Sequence, residues 1–276
     1  MVVVMIAFAR SGGTILNQCL GSLPDVVMIS EVNPLGGGAG DRGPDSFTTV
    51  RAQAEHWYQI AVESDAFADS VQELEQACLD SGKHLVIRDW SLVNFLPHRL
   101  NAHNPPHRLL TLEALAGRCE LLTFAFVRDS IDVWISRGAP DANEFFGHYL
   151  KYVKAVQGLP TFKYEDFCSN PARVIRQICD LTGLEYSESW RDYRSFKTVH
   201  GDVQTARPSR GRRQGTIGTL PRKRISRGLI AAVSQCHDMI KANELLGYPT
   251  SYHSVPREGL GQWLFRKVNS KVRPDR

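Results

Sequence analysis

Val2-Val3-Val4-Met5-Ile6-Ala7-Phe8-Ala9-Arg10-Ser11-Gly12-Gly13-Thr14-Ile15-Leu16-Asn17-Gln18-Cys19-Leu20 opens the chain as a strand, a glycine turn and a helix. Residues 2–8 are apolar, unbroken and largely β-branched, as in a strand covered on both faces of a parallel sheet. Gly12 and Gly13 allow backbone conformations and close approaches that side chains forbid, and the helix starting at Thr14 turns its unpaired N–H groups back toward the loop. With Arg10 beside them, these groups make a cradle for a phosphate- or sulfate-like anion. The same residues would serve equally as a plain tight turn. The loop is no Walker motif, because no Gly-Lys-Ser/Thr ends it and its cation precedes the glycines. A second strand-like run, Val26-Val27-Met28-Ile29-Ser30, leads to Glu31, 21 residues after Arg10. In a parallel sheet both residues emerge at carboxyl ends of strands, where α/β folds hold ligands. Glu31 is therefore a candidate base, with a loop salt bridge or helix cap as the other reading.

A second element supports the anion cradle. Cys119 to Val127 reads as another buried strand, followed by Arg128-Asp129-Ser130-Ile131-Asp132-Val133-Trp134-Ile135-Ser136-Arg137. Asp129 is placed to cap a helix whose core stripe is Ile131, Trp134 and Ile135. Arg128, Asp132 and Ser136 recur at four-residue intervals and so share one helix face. Arg128 by charge and Ser136 by its hydroxyl can hold one phosphate together; a capped surface helix is the plainer alternative. A third element, Gln204 to Arg227, carries Arg207, Arg210, Arg212, Arg213, Arg222, Lys223, Arg224 and Arg227 and no acid. Its middle, Ser209 to Gly218, has the glycines of a loop folded over a ligand, although such charge runs also serve as solvated faces or nucleic-acid contacts.

In order and in one internal spacing, these elements resemble the sulfotransferases that use 3′-phosphoadenosine 5′-phosphosulfate. Arg10, Ser11, Gly12, Gly13 and Thr14 resemble that family's 5′-phosphosulfate loop, and the Arg128/Ser136 pair resembles its 3′-phosphate contacts. Arg213-Gln214-Gly215-Thr216-Ile217-Gly218 is similar to its late Arg-Lys-Gly-x-x-Gly loop, with Gln214 where lysine is usual. Tyr164-Glu165-Asp166-Phe167 with Asn170-Pro171 also resembles a family signature. The resemblance implies an α/β fold, a central parallel sheet flanked by helices in a P-loop NTPase-like three-layer architecture. It implies the phosphosulfate nucleotide as sulfuryl donor, no metal, and a hydroxyl or amine acceptor on a small molecule or glycan. Cofactor contacts would come from Arg10, Ser11, Gly12, Gly13, Thr14, Arg128, Ser136, Arg213 and Gly215. Many cytosolic members carry a Lys-Thr-His group on the strand matching Leu85-Val86-Ile87-Arg88, with the histidine as base. Here Arg88-Asp89-Trp90 stands instead. In the protein-tyrosine and heparan branches a glutamate downstream of the loop cation does that work. Glu31 is thus expected as base, with Arg10 as its catalytic partner and Asp89 in reserve.

At 276 residues and 42% hydrophobic, the chain can bury one sizeable core, expected to span 1–249 as a single domain. Cys19, Cys78, Cys119, Cys168, Cys179 and Cys236 form no ligand pattern and mostly fall in apolar runs, which suggests reduced thiols and a cytoplasmic protein. The opening apolar run is too short for a membrane span and lacks a basic leader. Helices are expected over Thr48 to Glu63, Phe67 to Ser81, Asp141 to Val156, Pro171 to Thr182 and Lys223 to Leu246. Trp90, Phe95, Phe145 and Phe146 lie in or near loops that would line an acceptor pocket, or are simply packed. Residues 250–276 form a basic tail whose spacing allows an amphipathic helix, on a membrane, on an acidic partner or on the domain itself. Two other classes compete. A P-loop-type kinase should carry the Walker lysine and a magnesium carboxylate, which the loop lacks. A non-catalytic nucleotide- or nucleic-acid-binding module would use the basic segments, although the expected partners include no nucleic acid. Nothing in the sequence fixes the oligomeric state.

Overall fold

In the computed structural model, residues 1–37, 47–199 and 216–252 are described. The described chain runs β1 (Val2–Ala7), α1 (Gly13–Gly21), β2 (Val26–Val32), α2 (Val50–Gln53), α3 (Phe67–Asp80), β3 (His84–Asp89), α4 (Leu92–Phe95), α5 (Leu110–Leu115) and β4 (Leu121–Val127). It continues through α6 (Ser130–Ser136), α7 (Ala142–Ala155), β5 (Thr161–Lys163), α8 (Tyr164–Ser169), α9 (Pro171–Thr182), α10 (Arg227–Gln235) and α11 (His237–Leu246). The five strands lie in the order β2-β3-β1-β4-β5, all neighbours parallel. This is the expected α/β architecture with its central parallel sheet.

Side-chain alternation along β1 divides the core. Val2, Val4, Ile6 and Phe8 join a cluster with Val71 and Leu74 of α3, Trp134 of α6, Tyr149 and Tyr152 of α7, and Met239 of α11. Val3, Met5 and Ala7 face the other way, onto Leu16 and Leu20 of α1, Phe167 of α8 and Ile175 and Ile178 of α9. A strand buried on both faces cannot alternate in polarity, which is why β1 is a continuous apolar run. Helices on both faces complete three layers.

That division opens the site. After β1 the chain turns onto one face as α1, and after the adjacent β4 it turns onto the other as α6. The two loops diverge at the carboxyl end of the sheet, the place where doubly wound folds leave a crevice.

Two helical expectations are corrected. Thr48 to Glu63 is not one helix: α2 ends in a π-helical turn over Ala54–Tyr58, and Gln59 takes a left-handed φ of 55°. The reason lies in the outer edge of β2, which has no neighbouring strand on that side among the described residues. Gln53 accepts from Ser30 N at 2.7 Å and donates to Ser30 O at 2.6 Å, while the Tyr58 hydroxyl accepts from Met28 N at 3.0 Å and donates to Met28 O at 2.9 Å. Two side chains thus imitate a missing neighbour strand, satisfying edge groups that would otherwise invite another chain. Lys223 to Leu246 likewise divides into α10 and α11. Cys236 between them is extended (φ −74°, ψ 107°), and the first helix begins at Arg227 with Ser226 as its cap, later than Lys223. The strand expected from Cys119 begins at Leu121, while α3, α7 and α9 match expectation to within a residue at each end.

Candidate active site

The loop between β1 and α1 is strained where the chemistry was expected. Arg10 has φ 75° and Glu31 φ 51°, left-handed values that cost energy for residues with a Cβ. Glu31 reaches this conformation because β2 loses register against β3 between Ile29 and Val32. Strain of this kind persists only where surrounding contacts enforce it.

At Glu31 such a contact comes from Arg88. It is 3% exposed, with Nη2 2.5 Å from Glu31 Oε1 and Nη1 donating at 3.2 Å to Thr14 Oγ1. The candidate base is thereby tied to the first turn of α1, so that carboxylate and loop are held as one piece. At Gly13 an added Cβ would lie 3.0 Å from Arg88 Nε and 3.1 Å from Ala7 Cβ, so a side chain there would press on the guanidinium. Asp89, the reserve base, is consumed elsewhere. It is buried and accepts from Ser91 Oγ and Thr111 Oγ1 at 2.5 Å each and from Asn33 Nδ2 at 3.0 Å. Burial pushes its carboxyl above the ordinary range, against the pull of those three donors.

The start of α1 carries no side-chain cap and no acid in its first turn, so the N–H groups ahead of Ile15, which itself donates to Gly12 O at 3.2 Å, are left to an anion. Ser11 is fully buried, and its Oγ has no hydrogen-bond partner among the described residues. Gly12 has φ 85°, and a Cβ there would fall 2.5 Å from Tyr164 Cε2 and nearer still to Cδ2. The Tyr164 ring is therefore the floor of the loop. It also supports Arg128, whose guanidinium carbon lies 4.6 Å from the ring centroid.

Arg128 closes the crevice between β1 and β4, donating from Nη1 to Arg10 O at 3.2 Å. Its Nε is buried with no hydrogen-bond partner among the described residues. Asp129 caps α6 as expected, accepting from Ile131 N, and half-buried Ser136 ends that helix. Next to it, Arg137 is pushed below its ordinary pKa by burial and then by the charge of Arg10. Cations are thus gathered at this end of the sheet, where an anion would relieve them.

No family model and no curated protein matches the sequence. Solved structures do. The sulfotransferase domain from the curacin biosynthetic pathway is 13% identical, aligns over 90% of this chain and 97% of its own, and gives a TM-score of 0.58. The sulfotransferase domain of the Synechococcus PCC 7002 olefin synthase is 15% identical over 99% and 95%, with a TM-score of 0.53. This chain has the sulfotransferase fold.

Within that sulfotransferase fold, Arg10, Ser11, Gly12, Gly13, Thr14, Glu31, Arg128 and Ser136 all lie at the carboxyl end of β1, β2 and β4 or on the helices that follow. Arg213 and Gly215 lie outside the described residues, as does the tail beyond 252. Of the aromatics expected near an acceptor pocket, Phe95, Phe145 and Phe146 are core residues, and only Trp90 is half-buried, edge-on to His98. Among the described residues no cluster of three His, Cys, Asp or Glu is arranged for a metal, and no helix is long and apolar enough to cross a membrane. Arg88 and Arg137 were missed in the sequence. Arg88 had one available signal, a lone cation closing an apolar strand.

Proposed function

We propose that the protein transfers the sulfuryl group of 3′-phosphoadenosine 5′-phosphosulfate to a hydroxyl, or an amine, of a small-molecule or glycan acceptor. The observation that carries this is the bridge from Arg128 to the Arg10 carbonyl, which sets a second cation beside the uncapped start of α1. Such a pair of sites suits a nucleotide with phosphates at both the 5′ and 3′ positions. The orphaned Ser11 hydroxyl and the side-chain-free approach at Gly12 fit that donor as well.

In this reading Glu31 takes the acceptor proton as the new oxygen–sulfur bond forms and the bond from sulfur to the nucleotide phosphate oxygen breaks. Arg10 and the first N–H groups of α1 offset negative charge growing on that leaving oxygen. Arg88 keeps Glu31 aligned with the loop, and Arg128 with Ser136 holds the 3′-phosphate; Arg213 and Gly215 join them by resemblance alone. Alignment and charge compensation supply most of the rate in such in-line transfers. No metal is called for. A kinase reading has less support, because the loop offers no Walker lysine.

Calorimetric titration with adenosine 3′,5′-bisphosphate tests the donor. Binding without metal is expected, and binding that requires magnesium would favour the kinase. Glu31→Gln should leave that affinity intact while turnover of the phosphosulfate falls by about two to four orders of magnitude. Near wild-type turnover would remove Glu31 from the role.

A further inference from the structure

We propose that Arg222 is a positioning residue for the anion site, taking the hydrogen bonds of Asp129 and Asp132 so that Arg128 is left only a long ion pair with Asp132 and its charge stays available to a 3′-phosphate, an assignment that rests on the donor proposed above. Five charged groups share one patch at the start of α6: Arg128, Asp129, Asp132, Arg222 and Glu165, which accepts from Asp129 N at 3.3 Å and from the Tyr248 hydroxyl at 2.6 Å. Arg222 Nε lies 2.9 Å from Asp132 Oδ1 and its Nη2 2.5 Å from Asp129 Oδ2. Arg128 Nη2 stands 3.7 Å from Asp132 Oδ2, too far for a hydrogen bond. Arg222 is 5% exposed, Asp129 9%, and Asp132 and Arg128 13% each, so water screens none of them well.

The patch holds two cations and three acids, of which Glu165 is pushed above its ordinary pKa by burial. Asp132 follows Arg128 by four residues, the spacing at which helix neighbours pair by default. Arg222, brought from far along the chain, takes that acid's hydrogen bond instead and leaves Arg128 only the longer ion pair. Without Arg222 the patch would carry a net negative charge beside the phosphate site, and Asp132 would be left to close on Arg128. The chain secures this contact from both sides: the Arg222 guanidinium carbon is 5.4 Å from the Tyr252 ring, whose hydroxyl donates to Lys223 O at 3.3 Å. Lys223 and Arg224 beside it are exposed. Arg222 alone of these three turns inward.

The test compares adenosine 3′,5′-bisphosphate with adenosine 5′-phosphate by calorimetry on the full chain. Arg222→Gln should weaken the bisphosphate by about tenfold or more, the scale of one charge-assisted contact, with the 5′-phosphate nearly unchanged. Adding Asp132→Asn to it should restore discrimination, because the competing acid is gone. Asp132→Asn alone, in which Arg222 keeps Asp129, should bind the bisphosphate more tightly than wild type. A merely structural Arg222 would weaken both nucleotides alike or neither, and that result overturns the proposal. Should Arg222→Gln fail to fold, Asp132→Asn decides alone, and equal or weaker bisphosphate binding overturns it. A wild type blind to the 3′-phosphate brings down the donor assignment and this one with it, whereas a discriminating wild type with unchanged variants refutes only the role of Arg222.

Discussion

Gly12→Ala offers a sharp test of how the anion loop is built. Two separate costs meet at this position. The first is conformational: at φ 85° an alanine pays about 1–2 kcal/mol for left-handed backbone. The second is steric, since the new Cβ would sit 2.5 Å from Tyr164 Cε2 and the ring, packed against Phe126, has to move. Overpacking of this kind costs about 1–3 kcal/mol. Together they predict a loss of about 2–5 kcal/mol, or about 4–20 °C in melting temperature for a chain of this size. Gly82→Ala separates the two, because Gly82 has φ 67° but nothing within 4 Å of an added Cβ. It should lose only the conformational part. Displacing Tyr164 also withdraws the surface under Arg128, so Gly12→Ala should weaken adenosine 3′,5′-bisphosphate where Gly82→Ala does not. Scanning calorimetry and titration of both variants give the answer. Equal melting losses in the two would mean that Tyr164 is not the floor of the loop.

Further outcomes follow from other contacts. Arg128→Ala should weaken adenosine 3′,5′-bisphosphate by about 1.5–3 kcal/mol while sparing adenosine 5′-phosphate, with Ser136→Ala acting the same way more mildly, as read by titration. Gln53→Ala removes both side-chain bonds to the N–H and C=O of Ser30, so it should cost about 1–3 kcal/mol and raise light scattering as the β2 edge becomes available. Asp89 has a raised folded-state pKa, so its contribution is fully present below the ordinary aspartate value of about 3.9 and is lost as pH rises through the raised one. The stability of Asp89→Asn relative to wild type should therefore improve as pH rises across that window; a pH-independent difference would refute it.

β1, the start of β2 and β4 were legible because burial on both faces demands an apolar run, whereas β5 is three residues, Thr161–Lys163, with no such run. Arg10, Gly12 and Gly13 could be found because the order strand, cation, glycines, helix constrains a local piece of chain. Arg88 could not be placed with them, since its partners Thr14 and Glu31 lie 74 and 57 residues away. Gln53 and Tyr58 misled for a different reason. Their apolar neighbours have helical spacing, yet both side chains are drawn off to the β2 edge, and the helix unwinds to allow it. Arg222 looked like its neighbours in a basic run, and only the fold shows that it turns inward to two acids.

The left-handed backbone at Arg10 and Glu31 sets this chain's mutational economy. Glycine at position 10 would relieve about 1 kcal/mol of backbone strain, so a screen rewarding heat resistance alone should drift toward replacing that arginine. Selection for turnover should push back at the same codon. A library sorted first on stability and then on sulfuryl transfer would expose that opposition as a residue enriched in one sort and purged in the other.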